Sequence, residues 1–287
     1  MRKSDNERNR TSGNRKNAFK SGKPPKGSFA EKANRFAAQK RKSKPTTPSD
    51  PNLIRLNKYI ANAGICSRRE ADTFIAAGNV TVNGKPVTEM GYKVKKTDDV
   101  RFDGRKLNPE KKEYVLLNKP KNFITTTRDE KGRRTVMELI SNASNNRLYP
   151  VGRLDRNTTG LLMFTNDGDL AKKLTHPKHG VRKIYHVHLE RNVAIADLRK
   201  IREGLTLDDG EVQVDAVDYV VGATKKEVGI EIHSGKNRIV RRIFEHLGYE
   251  VTRLDRVVFA GLTKKDLPRG HWRFLTEQEV INLGMIR

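Results

Sequence analysis

Hydrophobic positions are spread unevenly along the chain, and their spacing separates three regions. Residues 1–52 show neither helical nor alternating periodicity, and three phenylalanines are their only aromatic residues. Such a segment buries too little apolar surface to offset the entropy lost on ordering. We therefore expect a disordered tail over residues 1–52, a compact module with its linker over residues 53–113, and a larger domain over residues 114–287.

The pattern at residues 53–100 predicts two short helices followed by a hairpin. Apolar residues from 54 to 63 follow helical spacing. The sequence Ser-Arg-Arg-Glu at 67–70 is a capping-box pattern, in which serine and glutamate side chains satisfy backbone groups at the start of a helix. Asn-Gly at 83–84, between two short apolar runs, predicts a tight turn.

The clearest alternation in the larger domain lies at residues 182–190. Tyr185 faces one side of this predicted strand, whereas His186 and His188 face the other. Because strand and helix patterns follow each other without repeated βαβ units, we expect an α+β fold. The other main elements predicted are helices at 194–203 and 239–247 and strands at 211–221 and 226–233.

A polar stretch between Gly152 and Gly160 precedes a short apolar run and predicts a loop. Asp155 lies within it, and the positive charges of Arg153 and Arg156 on either side favour an ionised carboxylate. On a loop held by ordered elements, such a carboxylate can act as a nucleophile or as an electrostatic stabiliser. The alternative is that Asp155 caps a turn or pairs with Arg153 at the surface.

The segments Gly-Arg-Leu-Asp at 152–155 and Thr-Thr-Gly-Leu-Leu at 158–162 together resemble the signature loop of RNA pseudouridine synthases, in the branch that includes RsuA, RluB, RluE and RluF. The resemblance covers residues 53 to about 280. It implies that Asp155 is the catalytic nucleophile, attacking either the base or the ribose of a uridine.

The same resemblance implies active-site roles for Tyr185, which lies in a Lys-x-Tyr pattern, and for Arg241, which would pair with Asp155. It also implies a catalytic domain built on a largely antiparallel mixed sheet. The reaction is an isomerisation without net oxidation, so we expect no cofactor. Lys119 precedes Pro120 at the end of a predicted strand, and the resemblance implies that this pair shapes the cleft; a strand ended by proline fits the sequence equally well.

Positive charge extends through the whole chain, whose net charge is +25. Residues 1–52 carry 15 basic and 4 acidic residues, or +11, and the remainder carries 44 and 30, or +14. This balance indicates a polyanionic partner, nucleic acid first. The module at 53–100 resembles the S-four RNA-binding module of ribosomal proteins. Candidate RNA contacts are Arg55, Lys58, Arg68, Arg69 and Lys85 in the module, and Lys119, Arg153, Arg156, Arg238 and Arg242 in the larger domain.

Several classes of protein are disfavoured by composition. The single cysteine, Cys66, excludes an intramolecular disulfide and a cysteine-rich zinc site, and it fits a reducing compartment. The N-terminus lacks the apolar region of a signal peptide, and no apolar run is long enough to span a membrane. We expect a cytoplasmic monomer that acts on ribosomal RNA.

His186 and His188 could suggest a metal pair, but zinc catalysis needs about three protein ligands. The sequence suggests no third ligand nearby, so no metal site is expected.

The tetrapeptide Arg-Leu-Asp-Arg recurs at 253–256 within an alternating run and without flanking glycines. It predicts a strand in which Asp255 takes part in cross-strand pairing.

Two other functions remain open. A non-catalytic RNA-binding or ribosome-assembly factor would share the basic module, but would not need Asp155, Tyr185 and Arg241 together. A metal-dependent nuclease would need an acidic cluster, which the sequence does not suggest.

Overall fold

Three hydrophobic clusters organise residues 52–286, the part of the chain that a computed structural model describes. One lies within the N-terminal module, and the other two share the large domain. Neighbouring residues of one strand belong to different clusters: Leu116 lies in one, and Val115 and Leu117 lie in the other. Because successive side chains of a strand point to opposite faces, the two clusters cover opposite faces of one sheet. The tail expected at residues 1–52 lies outside the described residues, apart from Asn52.

The N-terminal module contains two helices and two small antiparallel sheets. The elements are β1 (Leu53–Arg55), α1 (Leu56–Asn62), α2 (Arg68–Ala76), β2 (Val80–Val82), β3 (Lys85–Pro86), β4 (Lys93–Lys95), β5 (Val100–Phe102) and β6 (Arg105–Lys106). One sheet pairs β1 with β4, and the other has the order β3-β2-β5-β6. The capping box expected at α2 is confirmed, with the Ser67 hydroxyl accepting from the backbone of Glu70.

The large domain is built on a nine-stranded sheet. Its strands are β7 (Tyr114–Lys119), β8 (Tyr149–Val151), β9 (Thr159–Thr165), β10 (Lys183–Leu189), β13 (Ala216–Tyr219), β14 (Glu227–Ile232), β15 (Val251–Phe259), β16 (Leu262–Thr263) and β17 (Trp272–Phe274); a separate hairpin pairs β11 (Leu205–Leu207) with β12 (Gly210–Val212). The helices are α3 (Gly168–Thr175), α4 (Ile195–Glu203), α5 (Ile239–His246) and α6 (Glu277–Met285), with 3₁₀ turns at Glu138–Ile140 and Pro177–His179.

The order across the large sheet is β13-β14-β10-β15-β9-β7-β17, with β16 added to β15 and β8 to β9. Among the named strand pairs of residues 52–286, β9 with β15 is parallel and the others are antiparallel. The α+β fold with a largely antiparallel mixed sheet is therefore confirmed. No helix in this range is long and apolar enough to cross a membrane.

The alternation at residues 182–190 is confirmed as β10, with Tyr185 buried and His186 and His188 half-buried on the opposite face. The single strand expected at 211–221 is wrong. The strand ends at Val212 and a second strand begins at Ala216. β12 forms a hairpin with β11, whereas β13 pairs at the edge of the large sheet. The repeated tetrapeptide lies in β15, as expected.

Candidate active site

The loop containing Asp155 joins β8 to β9 and depends on glycine at its end. Gly160 has a φ of +103°, a region that residues with side chains rarely adopt. A Cβ there would lie 2.3 Å from the main-chain oxygen of Arg256. Glycine therefore allows β9 and β15 to approach where the loop re-enters the sheet.

A buried lysine, Lys119, binds the main chain of the loop. The Lys119 side chain is fully buried, with 0% of the residue exposed. Its ammonium donates to four main-chain carbonyls: Pro120 at 3.0 Å, Asp155 at 3.1 Å, Arg156 at 3.3 Å and Thr158 at 2.9 Å. Burial lowers the pKa of Lys119 to about 8, with Asp155 opposing the shift and Arg269 adding to it. The group is thus still mainly cationic at neutral pH and stabilises the loop carbonyls.

This geometry corrects the expectation that Lys119 contacts RNA. Its ammonium is enclosed by the loop carbonyls and cannot reach a phosphate. Lys119 instead acts within the protein, because its hydrogen bond to the Asp155 carbonyl fixes the backbone of the residue that lines the cleft.

Asp255 holds the other end of the loop. Its Oδ1 accepts from the Thr159 hydroxyl at 2.8 Å, and the two residues are register partners in β15 and β9, so the expected cross-strand pairing is confirmed. Arg269 donates to both carboxylate oxygens, at 2.9 and 3.2 Å, and Lys264 donates to Oδ2. Burial alone would raise the pKa of Asp255, but these hydrogen bonds outweigh it and hold the pKa well below its usual value. Arg269 also reaches Asn118 Oδ1 at 2.7 Å, next to Lys119.

Asp155 and Tyr185 line the same cleft, which has a volume of about 290 Å³. The ion pair formed by Asp155 is with Arg238, whose Nη1 lies 3.6 Å from its Oδ2. Arg238 precedes the first residue of α5 and has a φ of +48°, in the left-handed region. Both side chains are partly exposed, so a substrate can reach the pair.

Arg241 occupies a different place from the one expected. It is buried, and its Nη1 donates to the main-chain oxygen of Val251 at 2.8 Å. Burial and the nearby Arg238 lower its pKa, whereas the negative charge of Asp155 raises it. Arg241 therefore interacts with Asp155 through its charge, without an ion-pair contact. The ion pair expected between Arg241 and Asp155 is formed by Arg238. The catalytic role of Arg241 stays a prediction.

Three further cations line the cleft and were not among the candidates, namely Lys183, Lys236 and Arg256. Lys183 donates to the carbonyl of His233 at 2.9 Å, and burial, with Arg256 nearby, lowers its pKa to about 8. Arg256 is buried and donates through Nε to the carbonyl of Leu161 at 2.8 Å. Lys183 could have been found from the Lys-x-Tyr pattern, because residues two apart on a strand face the same side and Tyr185 lines the cleft. Arg256 lies in the repeated tetrapeptide, which gave no sign that its last residue reaches the cleft.

The remaining RNA candidates divide by exposure. Lys58 pairs with Asp169 at 2.6 Å, so it joins α1 to the first turn of α3. Arg242 was expected to contact RNA, but its guanidinium binds Asp208 and, at 2.7 Å, Asp209, in the turn between β11 and β12. It therefore holds this hairpin against α5. The candidates with exposed side chains are Arg55, Arg68, Arg69, Lys85, Arg153, Arg156 and Arg238.

The expectation that no third ligand accompanies His186 and His188 is wrong. Glu227 begins β14, the strand beside β10, and its carboxylate lies against both imidazoles. The residue is far away in sequence, so its proximity depends on strand pairing.

Comparison with known families matches both parts of the chain. Residues 113–246 match the family model described as RNA pseudouridylate synthase. Residues 54–100 match the S4 domain. The fold and the loop that carries Asp155 thus define an S4 module followed by a pseudouridine synthase domain.

Curated relatives extend this similarity over most of the chain. Ribosomal large subunit pseudouridine synthase B of Bacillus subtilis (strain 168) is 42% identical over 234 residues, covering 80% of this chain and 96% of the relative. The dual-specificity RNA pseudouridine synthase RluF of Escherichia coli (strain K12) is 36% identical over 237 residues, covering 80% and 78%. A crystal structure of a pseudouridylate synthase aligns with a TM-score of 0.58 and 28% identity, covering 80% of this chain and 99% of that one. The chain belongs to the RNA pseudouridine synthases and is an isomerase.

Proposed function

We propose that this enzyme converts a specific uridine of ribosomal RNA, in the large subunit, to pseudouridine, with Asp155 as the nucleophile. The observation that carries the proposal is the convergence of Asp155, Tyr185 and Arg238 on one cleft from three separate elements. The ribosomal target is supported by the name of the Bacillus subtilis relative, and an RNA substrate by the net charge of +25. A non-catalytic assembly factor would not need these three side chains in contact with one cavity.

The reaction breaks the bond between C1′ of the ribose and N1 of uracil and forms a bond between C1′ and C5. C5 loses a proton and N1 gains one, so nothing is oxidised and the atoms balance. The target base must leave its stack to enter the cleft, which costs roughly a few kcal/mol. The carboxylate of Asp155 attacks the substrate, Arg238 orients that carboxylate, and buried Arg241 adds positive charge behind it.

Tyr185 provides the apolar side of the cleft. It is buried in β10, so its ring is held rigidly and can stack on the turned base. Its hydroxyl is the group proposed to accept the proton from C5 in the last step.

Two polar atoms on cleft-lining residues support binding of a polar base. Within residues 52–286, Thr158 Oγ1 and Arg256 Nη2 are buried and have no hydrogen-bond partner. Buried polar groups usually find partners, so such atoms at a cleft suggest a ligand that completes them. Uracil offers two carbonyl acceptors and an N–H donor, which match a guanidinium and a hydroxyl.

The division of labour follows the domains. We assign RNA binding to residues 53–113, chemistry to residues 114–287 and additional phosphate contacts to residues 1–52. The exposed arginines Arg68 and Arg69 lie in the first turn of α2, where positive charge opposes the helix dipole and a phosphate would relieve it. We further infer that the enzyme works in the cytoplasm as a monomer without a cofactor.

The test is base conversion in fragments of large-subunit and small-subunit ribosomal RNA, detected by carbodiimide treatment and primer extension. Asp155→Asn should lower the rate by about 10³-fold with RNA affinity within a few-fold, because a lost nucleophile affects the transition state alone. Asp266→Asn is the control, since it neutralises an exposed carboxylate that does not line the cleft. Equal losses in the two variants, or conversion by Asp155→Asn at the normal rate, would contradict the assignment. Conversion confined to small-subunit RNA would refute the target but not the chemistry.

A further inference from the structure

A compact group of three metal-ligating side chains lies on the face of β10 opposite Tyr185. His186 and His188 project from this face two residues apart. Glu227 is the register partner of His188 in β14, so strand pairing places its carboxylate beside the rings. The partner of His186 is Gly229, which brings no side chain to the same space.

The distances fit a single small cation. His186 Nε2 lies 3.0 Å from Glu227 Oε2, and His188 Nδ1 lies 3.5 Å from the same oxygen. The ligand atoms of the three residues all lie within 4.8 Å of one another. Zinc bonds of about 2.0–2.2 Å place tetrahedral ligands roughly 3.3 Å apart, so small side-chain rotations suffice. Among residues 52–286, this is the one group of three or more such side chains with that spacing.

We propose that His186, His188 and Glu227 bind one divalent transition-metal ion of the zinc class. Two imidazoles and a carboxylate are a ligand set that zinc accepts in proteins. The three side chains are between 23% and 29% exposed, which leaves water free to take the fourth position.

The role of the ion is mechanical. It would cross-link β10 to β14 on the face of β10 opposite Tyr185. Binding should therefore stabilise the folded protein, because a ligand that binds the native state shifts unfolding by mass action. Removal of the ion should leave base conversion intact.

The chain offers a matched control. His176 and His179 form a second histidine pair, with ring centroids 6.1 Å apart at the 3₁₀ turn that follows α3. They do not belong to the three-residue group. Residues 1–51 contain neither histidine nor cysteine, so the tail offers neither of these ligand types.

The experiment uses full-length protein stripped with EDTA, desalted and titrated with zinc sulfate by isothermal titration calorimetry. We expect one equivalent to bind, and His186→Ala and His188→Ala each to weaken binding by at least about tenfold. The double variant His176→Ala, His179→Ala should bind zinc as the wild type does. Cobalt provides a spectroscopic check, since its visible absorption reports tetrahedral coordination by nitrogen and oxygen.

Thermal unfolding with and without zinc guards against misfolded variants. The wild type and the His176, His179 variant should gain melting temperature on adding zinc, whereas His188→Gln should match the zinc-free wild type and gain nothing. Equal zinc affinity in the wild type and His188→Ala would overturn the proposal and leave a hydrogen-bonded His–Glu pair. Loss of the site in the His176, His179 variant would also overturn it.

Discussion

The ammonium of Lys119 donates a 3.1 Å hydrogen bond to the main-chain oxygen of Asp155, so a buried cation holds the residue proposed to attack the substrate. The same ammonium bonds Arg156 and Thr158, which places three carbonyls of one loop around one nitrogen. Because the Asp155 side chain itself is partly exposed, its position depends on this backbone support more than on packing.

Lys119→Met should therefore impair chemistry without weakening RNA binding. Misplacement of a reacting group by about 1 Å can cost roughly 100-fold in rate, and we expect a loss of that order in kcat. Loop carbonyls left without a donor should also destabilise the fold by about 1–3 kcal/mol. Single-turnover kinetics and RNA binding as a function of salt check both expectations.

The control for Lys119 is Lys121→Met, which removes an exposed cation two residues away. If Lys119 did contact a phosphate, its loss would flatten the salt dependence of RNA affinity by about 0.7–0.9 in the logarithmic slope. An unchanged slope with a reduced kcat supports the positioning role; a flatter slope with normal kcat refutes it.

Asp255→Asn should reduce stability by about 2–3 kcal/mol at pH 7, because the ionised carboxylate is bonded by Arg269, Lys264 and Thr159 in the folded state. Its pKa is lowered on folding, so its contribution is fully present above the unfolded value of about 3.8 and is lost as the pH falls below it. Urea unfolding should show a large gap between wild type and variant at pH 7 and a smaller gap below pH 3.8.

Asp266→Asn is the corresponding surface control, since Asp266 is exposed and asparagine tolerates its positive φ. It should change stability little at either pH. A gap between Asp255→Asn and wild type that stays constant through the acid range would mean that the ion pairs do not cause the stabilisation.

Arg238 and Arg241 should fail in different ways. Arg238→Met removes the partner of Asp155 at an exposed site, so kcat should fall by about tenfold while the melting temperature changes little. Arg241→Met leaves the Val251 carbonyl without its buried donor, so stability should fall by about 1–3 kcal/mol together with kcat. Arg242→Met, on the same helix, should retain kcat. If Arg241→Met alone affects kcat, the ion pair with Arg238 is not the productive one.

The N-terminal module should govern RNA affinity. Replacing both Arg68 and Arg69 with alanine should weaken binding and reduce the logarithmic salt slope by about 0.7–0.9 for each phosphate that the protein no longer neutralises. The kcat at saturating RNA should be retained, because neither residue lines the cleft. Arg101→Ala with Arg105→Ala removes the same charge from the β5–β6 side of the module and provides the comparison.

The segment at residues 1–52 should add affinity without selecting the site. Protein lacking it should bind RNA less tightly at low salt and with a flatter salt dependence, since its net charge is removed. Primer extension should still map conversion to the same uridine. A shifted or additional site would assign specificity to this segment.

Local patterns predicted the local features well. The capping box of Ser67 and Glu70, the alternation around Tyr185 and the loop carrying Asp155 all depend on residues close together in sequence. The features that were missed are contacts between distant segments. A lysine is normally exposed, and the burial of Lys119 is explained by the main-chain carbonyls of Pro120 and of the loop that carries Asp155. Likewise, Glu227 meets His188 through strand pairing, and Arg242 meets the β11–β12 turn through helix packing.

The parallel pairing of β9 with β15 has a consequence for the synthesis of this enzyme. The contact from Thr159 to Asp255 spans 96 positions, and that from Asn118 to Arg269 spans 151. A growing chain that already contains Asp155, Tyr185 and Arg241 still lacks the strand that closes one end of the loop. Contacts of such sequence separation form late and slowly in folding. Activity therefore appears only once nearly the whole polypeptide has been made, and a protein truncated by a late stop codon would hold every proposed catalytic residue and still be inert.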